Sequence, residues 1–248
     1  MLLKVLTYNI HRAIGVDRRF RPSRIVDILA HHDADLVLLQ EVDEGAPRSR
    51  ELDLARELGR EAGYPHVAAG YNVSLRKGRY GNAILSRWPL TIHRNIDLTV
   101  DDKKRRGCLH TRLTIEKGQH GVRELDVFNL HLGLSARERT RQVGMLVRSP
   151  EFAQVPEGAP CLVAGDFNDW RAQLAPIFVE ILQFKSATRH RFGYQAAIRT
   201  YPSFSPTGAL DKIFFRGPLR LLGARNCRLR VSRVASDHLP IVAEFELG

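Results

Sequence analysis

The chain has 248 residues, 44% of them hydrophobic and 26% charged, and carries a net charge of +11, a balance that supports a sizeable core and excludes a disordered chain. The basic excess favours polyanions (nucleic acid, anionic lipid headgroups or polyphosphates) without choosing among them. Cys108, Cys161 and Cys227 are scattered, which excludes a disulfide framework and a thiolate zinc site, and no apolar run approaches the ~20 residues of a membrane span.

Met1–Leu6 leads straight into a polar motif, without the long apolar run of a signal peptide. The expectation is a single domain over residues 1–248, reduced, cytoplasmic and monomeric. Leu2 to Ile10 reads as a buried strand. Pro22 suits a first helical position, with Ile25, Ile28 and Leu29 following at helical spacing. Asp35 to Gln40 is a second buried strand. Leu54, Ala55, Leu58 and Ala62 share a helical face that stops at Gly63.

From Pro65 to Leu132 short β-rich runs alternate with turn residues: Val67–Tyr71, Asn82–Ser86, Leu90–Leu98, Cys108–Ile115 and Leu125–Leu132. Ser135 followed by Glu138 predicts a capping box, with the Glu138 side chain reaching back. Pro160–Ala164 is another buried strand, and a helix is expected over much of Gln173–Gln183. Leu210–Phe215, Leu219–Val231 and Leu239–Glu246 read as closing strands. Many strands stand in hairpin order, which a doubly wound parallel sheet does not accommodate. Two mixed or antiparallel sheets packed face to face, with helices outside, fit better.

Polar residues recur where the apolar strands end. Thr7-Tyr8-Asn9-Ile10-His11 follows the first strand and Gln40-Glu41-Val42 the second. Asn129-Leu130-His131-Leu132 closes a middle strand. Gly165-Asp166-Phe167-Asn168 follows Cys161–Ala164, Leu210-Asp211-Lys212 opens a late strand, and Ser236-Asp237-His238-Leu239-Pro240 precedes the last. Any one of these is unremarkable: a lone glutamate after a strand is ordinarily solvated, and Asp-Phe-Asn ordinarily makes a turn. Six rigid posts ending in Asn, Glu, Asp and His can instead build one site.

The ordered set resembles the endonuclease/exonuclease/phosphatase superfamily, the deoxyribonuclease I-like fold, from Asn9 to His238. The resemblance implies an α/β, four-layer α/β/β/α sandwich of two packed β-sheets flanked by helices. It also implies a divalent-metal-dependent hydrolase of phosphoester bonds. Glu41 would be the main ligand of Mg²⁺ or Mn²⁺, with Asn9 and Asp237 completing the surroundings of the ion. A hard cation with oxygen ligands suits the charge that develops in phosphoester cleavage. His131, Asp166, Asn168, Asp211 and His238 would form the catalytic group. Asp211 would orient His238, Asn168 would support Asp166, and either Asp166 or His238 would serve as base.

Asn-Leu-His-Leu at His131 resembles the His-containing branches more than the abasic-site nucleases, and His11 stands where several nuclease branches carry Asp. Asn82, His11, Tyr201 and Arg106 are candidates for substrate contact, Arg106 as part of the cationic run Lys103-Lys104-Arg105-Arg106. The expected reaction is phosphodiester cleavage in nucleic acid or phospholipid. The alternatives are a phosphomonoesterase of inositol or sugar phosphates and an idle polyanion-binding module.

Overall fold

A computed structural model describes residues 1–116, 122–188 and 197–248. One six-stranded sheet contains β1 (Leu2–Asn9), β2 (Leu36–Glu44), β3 (His66–Ser74), β4 (Arg79–Ser86), β11 (Leu219–Asn226) and β12 (Ile241–Leu247), in the order β11-β12-β1-β2-β4-β3. The other contains β5 (Leu90–Asp97), β6 (Gly107–Glu116), β7 (Val122–His131), β8 (Cys161–Asp166), β9 (Lys185–Ser186) and β10 (Asp211–Arg216), in the order β5-β6-β7-β8-β10-β9. Each sheet has one parallel pair, β1 with β2 and β7 with β8, and is otherwise antiparallel.

The layering follows from side-chain alternation, because successive strand residues point to opposite faces. Leu3 and Val5 of β1, Leu36 and Leu38 of β2, and Leu162 and Ala164 of β8 join a core between the sheets. Leu6 and Tyr8 pack in a second cluster with Ile25, Ile28 and Leu29 of α1 (Pro22–His32) and Leu54 and Leu58 of α2 (Leu54–Glu61). Phe128, Leu130 and Val163 pack in a third with Val143 and Leu146 of α3 (Ala136–Arg148) and Phe152 of α4 (Pro150–Ala153). The result is the expected four-layer sandwich.

At one end of the inter-sheet core the same alternation turns polar. Asn9 continues the face of Leu3 and Val5, and Asn129 and His131 continue that of Leu125 and Val127. Asp166 continues that of Leu162 and Ala164, and Asp211 begins that of Ile213 and Phe215. Core and site are thus one face of each strand, apolar in the middle and polar at the end.

Three local expectations are corrected. Within Gln173–Gln183 the helical residues are 175–181, and Ile177–Ile181 form a π turn in place of the expected α-helix. Asp169 takes the backbone N–H groups of Gln173 and Leu174, and this holds the preceding stretch as a loop. The strand predicted over Leu219–Val231 stops at Asn226, opposite Ile241 where its partner β12 begins, and the chain turns into the short helix α5 (Ser232–Ala235). Ser135 does cap α3, its Oγ accepting from Glu138 N at 3.2 Å. The Glu138 carboxylate, however, turns to Gln142 Nε2 at 3.2 Å and not back to the cap. No helix among the described residues is long and apolar enough to cross a membrane.

Candidate active site

Gly165 sits at φ +138, and a Cβ there would lie 2.0 Å from the Leu130 carbonyl oxygen. Only glycine lets β8 approach β7 this closely, and this sets Asp166 beside His131 in the register. Phe167 is buried, and Asn168 takes a left-handed φ of 50, which asparagine tolerates. The backbone N–H of Asn168 donates to Asp166 Oδ1 at 2.9 Å, and its Nδ2 donates to the Leu132 carbonyl at 2.9 Å. On the other side, Asn9 Nδ2 donates to Asp166 Oδ2 at 3.0 Å, joining the two sheets.

Asp211 pairs directly with Asp166 across β10 and β8. Its Oδ2 accepts from His238 Nδ1 at 2.8 Å and also from the Thr200 hydroxyl. His238 Nε2 then lies 3.8 Å from Asp166 Oδ2. Burial by itself would discharge His238, but the carboxylates of Asp211 and Asp166 overrule it and raise its pKa from 6.5 to about 10. Asp166 is pushed up to about 6, chiefly by burial, against the pull of the His238 charge and with the help of Asp211. His131 is different: burial and the nearby charges of Arg106, His238 and Lys104 hold its pKa well below 6.5. Its 3.4 Å approach to Asp166 Oδ2 is therefore a contact of a neutral ring and not an ion pair. At neutral pH the site holds a carboxylate, an imidazolium and a neutral imidazole.

Glu41 owes its position to a bulge. Between Leu39 and Val42 β2 has one residue more than β4, and Glu41 adopts φ 55. Bulges next to sites re-aim a side chain, as here. Glu41 Oε2 is buried without a hydrogen-bond partner and forms an ion pair with Arg12 Nε at 3.5 Å, which likewise makes no hydrogen bond. A buried carboxylate oxygen lacking a hydrogen bond fits a hard cation, which binds through oxygen. Ligand atoms of Asp166, Asp211 and His238 also lie within 4.8 Å of one another. His238 is charged and already engaged with Asp211, so it offers no lone pair at Nδ1. That cluster is better suited to moving protons than to holding an ion.

The remaining candidates divide. Asn9 Oδ1 accepts from His11 N at 3.1 Å, so its amide is a bridge between the loop after β1 and Asp166. Asp237 is half-buried, accepts from Ser236 Oγ at 3.3 Å, and its charge helps to raise the His238 pKa. Arg106 is buried with an unpaired Nε, and its charge reaches His131. The Tyr201 ring centre is 5.1 Å from that of His238, with Trp170 edge-on to it at 5.5 Å. His11 Nδ1 is tied to the Ile14 carbonyl at 2.9 Å, so only its other nitrogen is left for a ligand. Asn82 Nδ2 donates to the Gly107 and Asn129 carbonyls at 3.0 and 3.2 Å, so the structure engages its amide hydrogens with the backbone.

Two supporting residues escape the sequence reading. Thr200 holds Asp211, and Ser236 links the loop before β12 to the end of β1 by donating to the Asn9 carbonyl at 2.7 Å. A hydroxyl near a motif carries no local signal of such long-range bonds.

Residues 6–238 match the Endonuclease/Exonuclease/phosphatase family. The chain is 33% identical to the uncharacterized protein YbhP of Escherichia coli (strain K12), over 98% of this chain and 96% of that one. Its fold is similar to the endonuclease/exonuclease/phosphatase of Beutenbergia cavernae, with a TM-score of 0.79, 21% identity and coverage of 100% of this chain and 72% of that one. It is also similar to the mannosyl-6-phosphatase Bt3783 of Bacteroides thetaiotaomicron, with a TM-score of 0.75, 18% identity and coverage of 99% and 100%. The chain belongs to the endonuclease/exonuclease/phosphatase family.

Proposed function

We propose that the chain is a divalent-metal-dependent phosphodiesterase. The observation that carries this reading is the buried pair Asp166 and His238, 3.8 Å apart, with the other nitrogen of the His238 ring held by Asp211 at 2.8 Å. A base needs a proton affinity near the working pH, and Asp166 at about 6 has it. His238, with a pKa of about 10, is charged and therefore unsuited to be the base.

Asp166, fixed by Asn9 and Asn168, takes the proton of the attacking water. His238 Nε2 donates to a non-bridging phosphoryl oxygen, and Asp211 and Thr200 keep the ring aimed. Neutral His131, with Arg106 beside it, serves the leaving-group side. Glu41 would hold Mg²⁺ or Mn²⁺, with Asp237 as a further oxygen donor, and the ion would neutralise charge on the phosphoryl oxygens.

A phosphomonoester is the second reading. The Bacteroides thetaiotaomicron protein of the same fold is named as a mannosyl-6-phosphatase, and the unpaired Arg106 Nε supplies a donor that a dianionic phosphate would use. Initial rates on bis-p-nitrophenyl phosphate and p-nitrophenyl phosphate, after EDTA and with Mg²⁺ or Mn²⁺ restored, separate the two. The expected result is a metal-dependent preference for the diester. A faster monoester reaction would favour the second reading, and full turnover in EDTA would sink both.

A further inference from the structure

β1, β2, β7 and β8 end at the site, while β6, β10 and β12 begin there. Their connections form one face of the molecule around the site mouth. Eight large hydrophobic side chains are exposed among the described residues, and five stand in these connections: Val16 at 43%, Leu134 at 72%, Trp170 at 55% and Phe204 at 65%, within a few residues of strand ends or motifs at the site, and Ile181 at 72%, farther along toward β9. At the opposite end, the described connections 33–35, 62–65, 87–89, 154–160 and 217–218 contribute none, and the exposed apolar side chains there are Met1 at 37% and Leu2 at 55%, at the start of β1.

Cations accompany the apolar tips. Residues 10–21 hold four arginines against one aspartate, and 227–240 hold three against one. Arg18, Arg19, Lys103, Arg137, Arg171 and Arg233 are all exposed on these connections. Trp170, though exposed, is not loose. Its ring is edge-on to Tyr201, and a side chain on Gly208 would meet it at 2.7 Å.

We propose that this face docks on an anionic phospholipid bilayer, with Val16, Leu134, Trp170 and Phe204 entering the boundary between headgroups and acyl chains. Exposed apolar groups ringed by charge mark an interaction surface. A nucleic-acid backbone would use the arginines, but it offers nothing to Val16 or Leu134, which cannot stack on bases. A bilayer with anionic headgroups uses both kinds of side chain, through apolar insertion and through attraction of each Lys or Arg to the surface.

Docked this way, the site mouth faces the lipid phosphodiester. Resting on the phosphodiesterase reading above, the substrate class is then a phospholipid: water bonds to phosphorus, one ester P–O bond breaks, and the released alcohol takes a proton.

The test uses the full chain in EDTA with phosphatidylcholine vesicles, with and without phosphatidylglycerol, some carrying brominated acyl chains. Trp170 and the core-packed Trp88 are the two tryptophans. The expected result is binding to anionic vesicles only, with bromine quenching that vanishes in Trp170→Phe. Leu134→Ser with Phe204→Ser should weaken partitioning about tenfold, with turnover of bis-p-nitrophenyl phosphate in Mg²⁺ unchanged. Failure to bind anionic vesicles at low salt, binding without quenching, or tight binding to single-stranded DNA in place of vesicles would overturn the proposal. Vesicle binding without any hydrolysis of bis-p-nitrophenyl phosphate would keep the docking face and remove the phosphodiesterase reading. Hydrolysis without vesicle binding would do the reverse.

Discussion

His238 Nδ1 lies 2.8 Å from Asp211 Oδ2, and Asp211 stands directly opposite Asp166 in the β10–β8 pair, so one carboxylate aims an imidazolium at the other. Asp211→Asn keeps the shape and removes the charge. The His238 pKa should fall from about 10 toward 6.5, as read by NMR titration of the metal-free protein. Turnover should drop about 10- to 100-fold, less than for His238→Ala, and the double variant should be far from additive. An unchanged His238 titration would show that Asp211 does not set its charge.

Glu41→Gln tests the ion site without relying on turnover. The bulge places Glu41 Oε2 in a buried position with no hydrogen bond, facing Arg12. Replacing the carboxylate by an amide should weaken Mn²⁺ binding, measured by calorimetry, about 100-fold. Thermal stability in EDTA should hardly change, because no hydrogen bond to Oε2 is lost. Equal Mn²⁺ affinity in the variant would move the ion elsewhere.

How much of this was legible in sequence depended on whether the signal was local. Alternation along Leu3, Val5 and Asn9, or Leu162, Ala164 and Asp166, placed both core and site on readable faces. The structure brings Asp166, Asp211 and His238 together, and each ends or begins an apolar run, which is where the sequence marks them. The π turn at Ile177–Ile181 was misread because its apolar spacing is helical, while the Asp169 bonds that interrupt it depend on how the loop folds. The two carbonyls that take the Asn82 amide, Gly107 and Asn129, are distant in sequence, so nothing local marks them. The apolar tips around the mouth come from four separate connections, so no single stretch of sequence resembles a membrane-binding helix.

Gly165→Ala should be severely destabilising for a single methyl group. The added Cβ would stand 2.0 Å from the Leu130 carbonyl, at a φ of +138 that alanine resists. Urea unfolding should show a loss of about 3 kcal/mol. Any folded fraction should be poorly active, because the β7–β8 register that joins His131 to Asp166 must open. A variant as stable as the parent would mean that the strands can separate here without penalty.

Raising the pH above neutral should weaken the fold through His238. Its pKa is 6.5 in the unfolded chain and about 10 in the fold, so the fold binds that proton more tightly throughout the interval. The stabilisation is complete below 6.5 and fades as pH climbs through about 10. Asp166, raised from 3.8 to about 6, acts in the same direction at lower pH, losing its contribution across that range. His131 acts oppositely: its depressed pKa means that acidification below 6.5 favours the unfolded chain, which can take the proton. The acid range therefore mixes opposing effects, and the alkaline range is the cleaner test. The buried thiols of Cys108 and Cys161, raised by burial, add to the alkaline loss because they ionise first in the unfolded chain. Comparing the parent with His238→Gln isolates the histidine. Urea midpoints at about pH 7 and about pH 9.5 should fall more in the parent than in the variant, with matching m-values. Equal falls in the two proteins would mean that His238 is not held in its charged form by the fold.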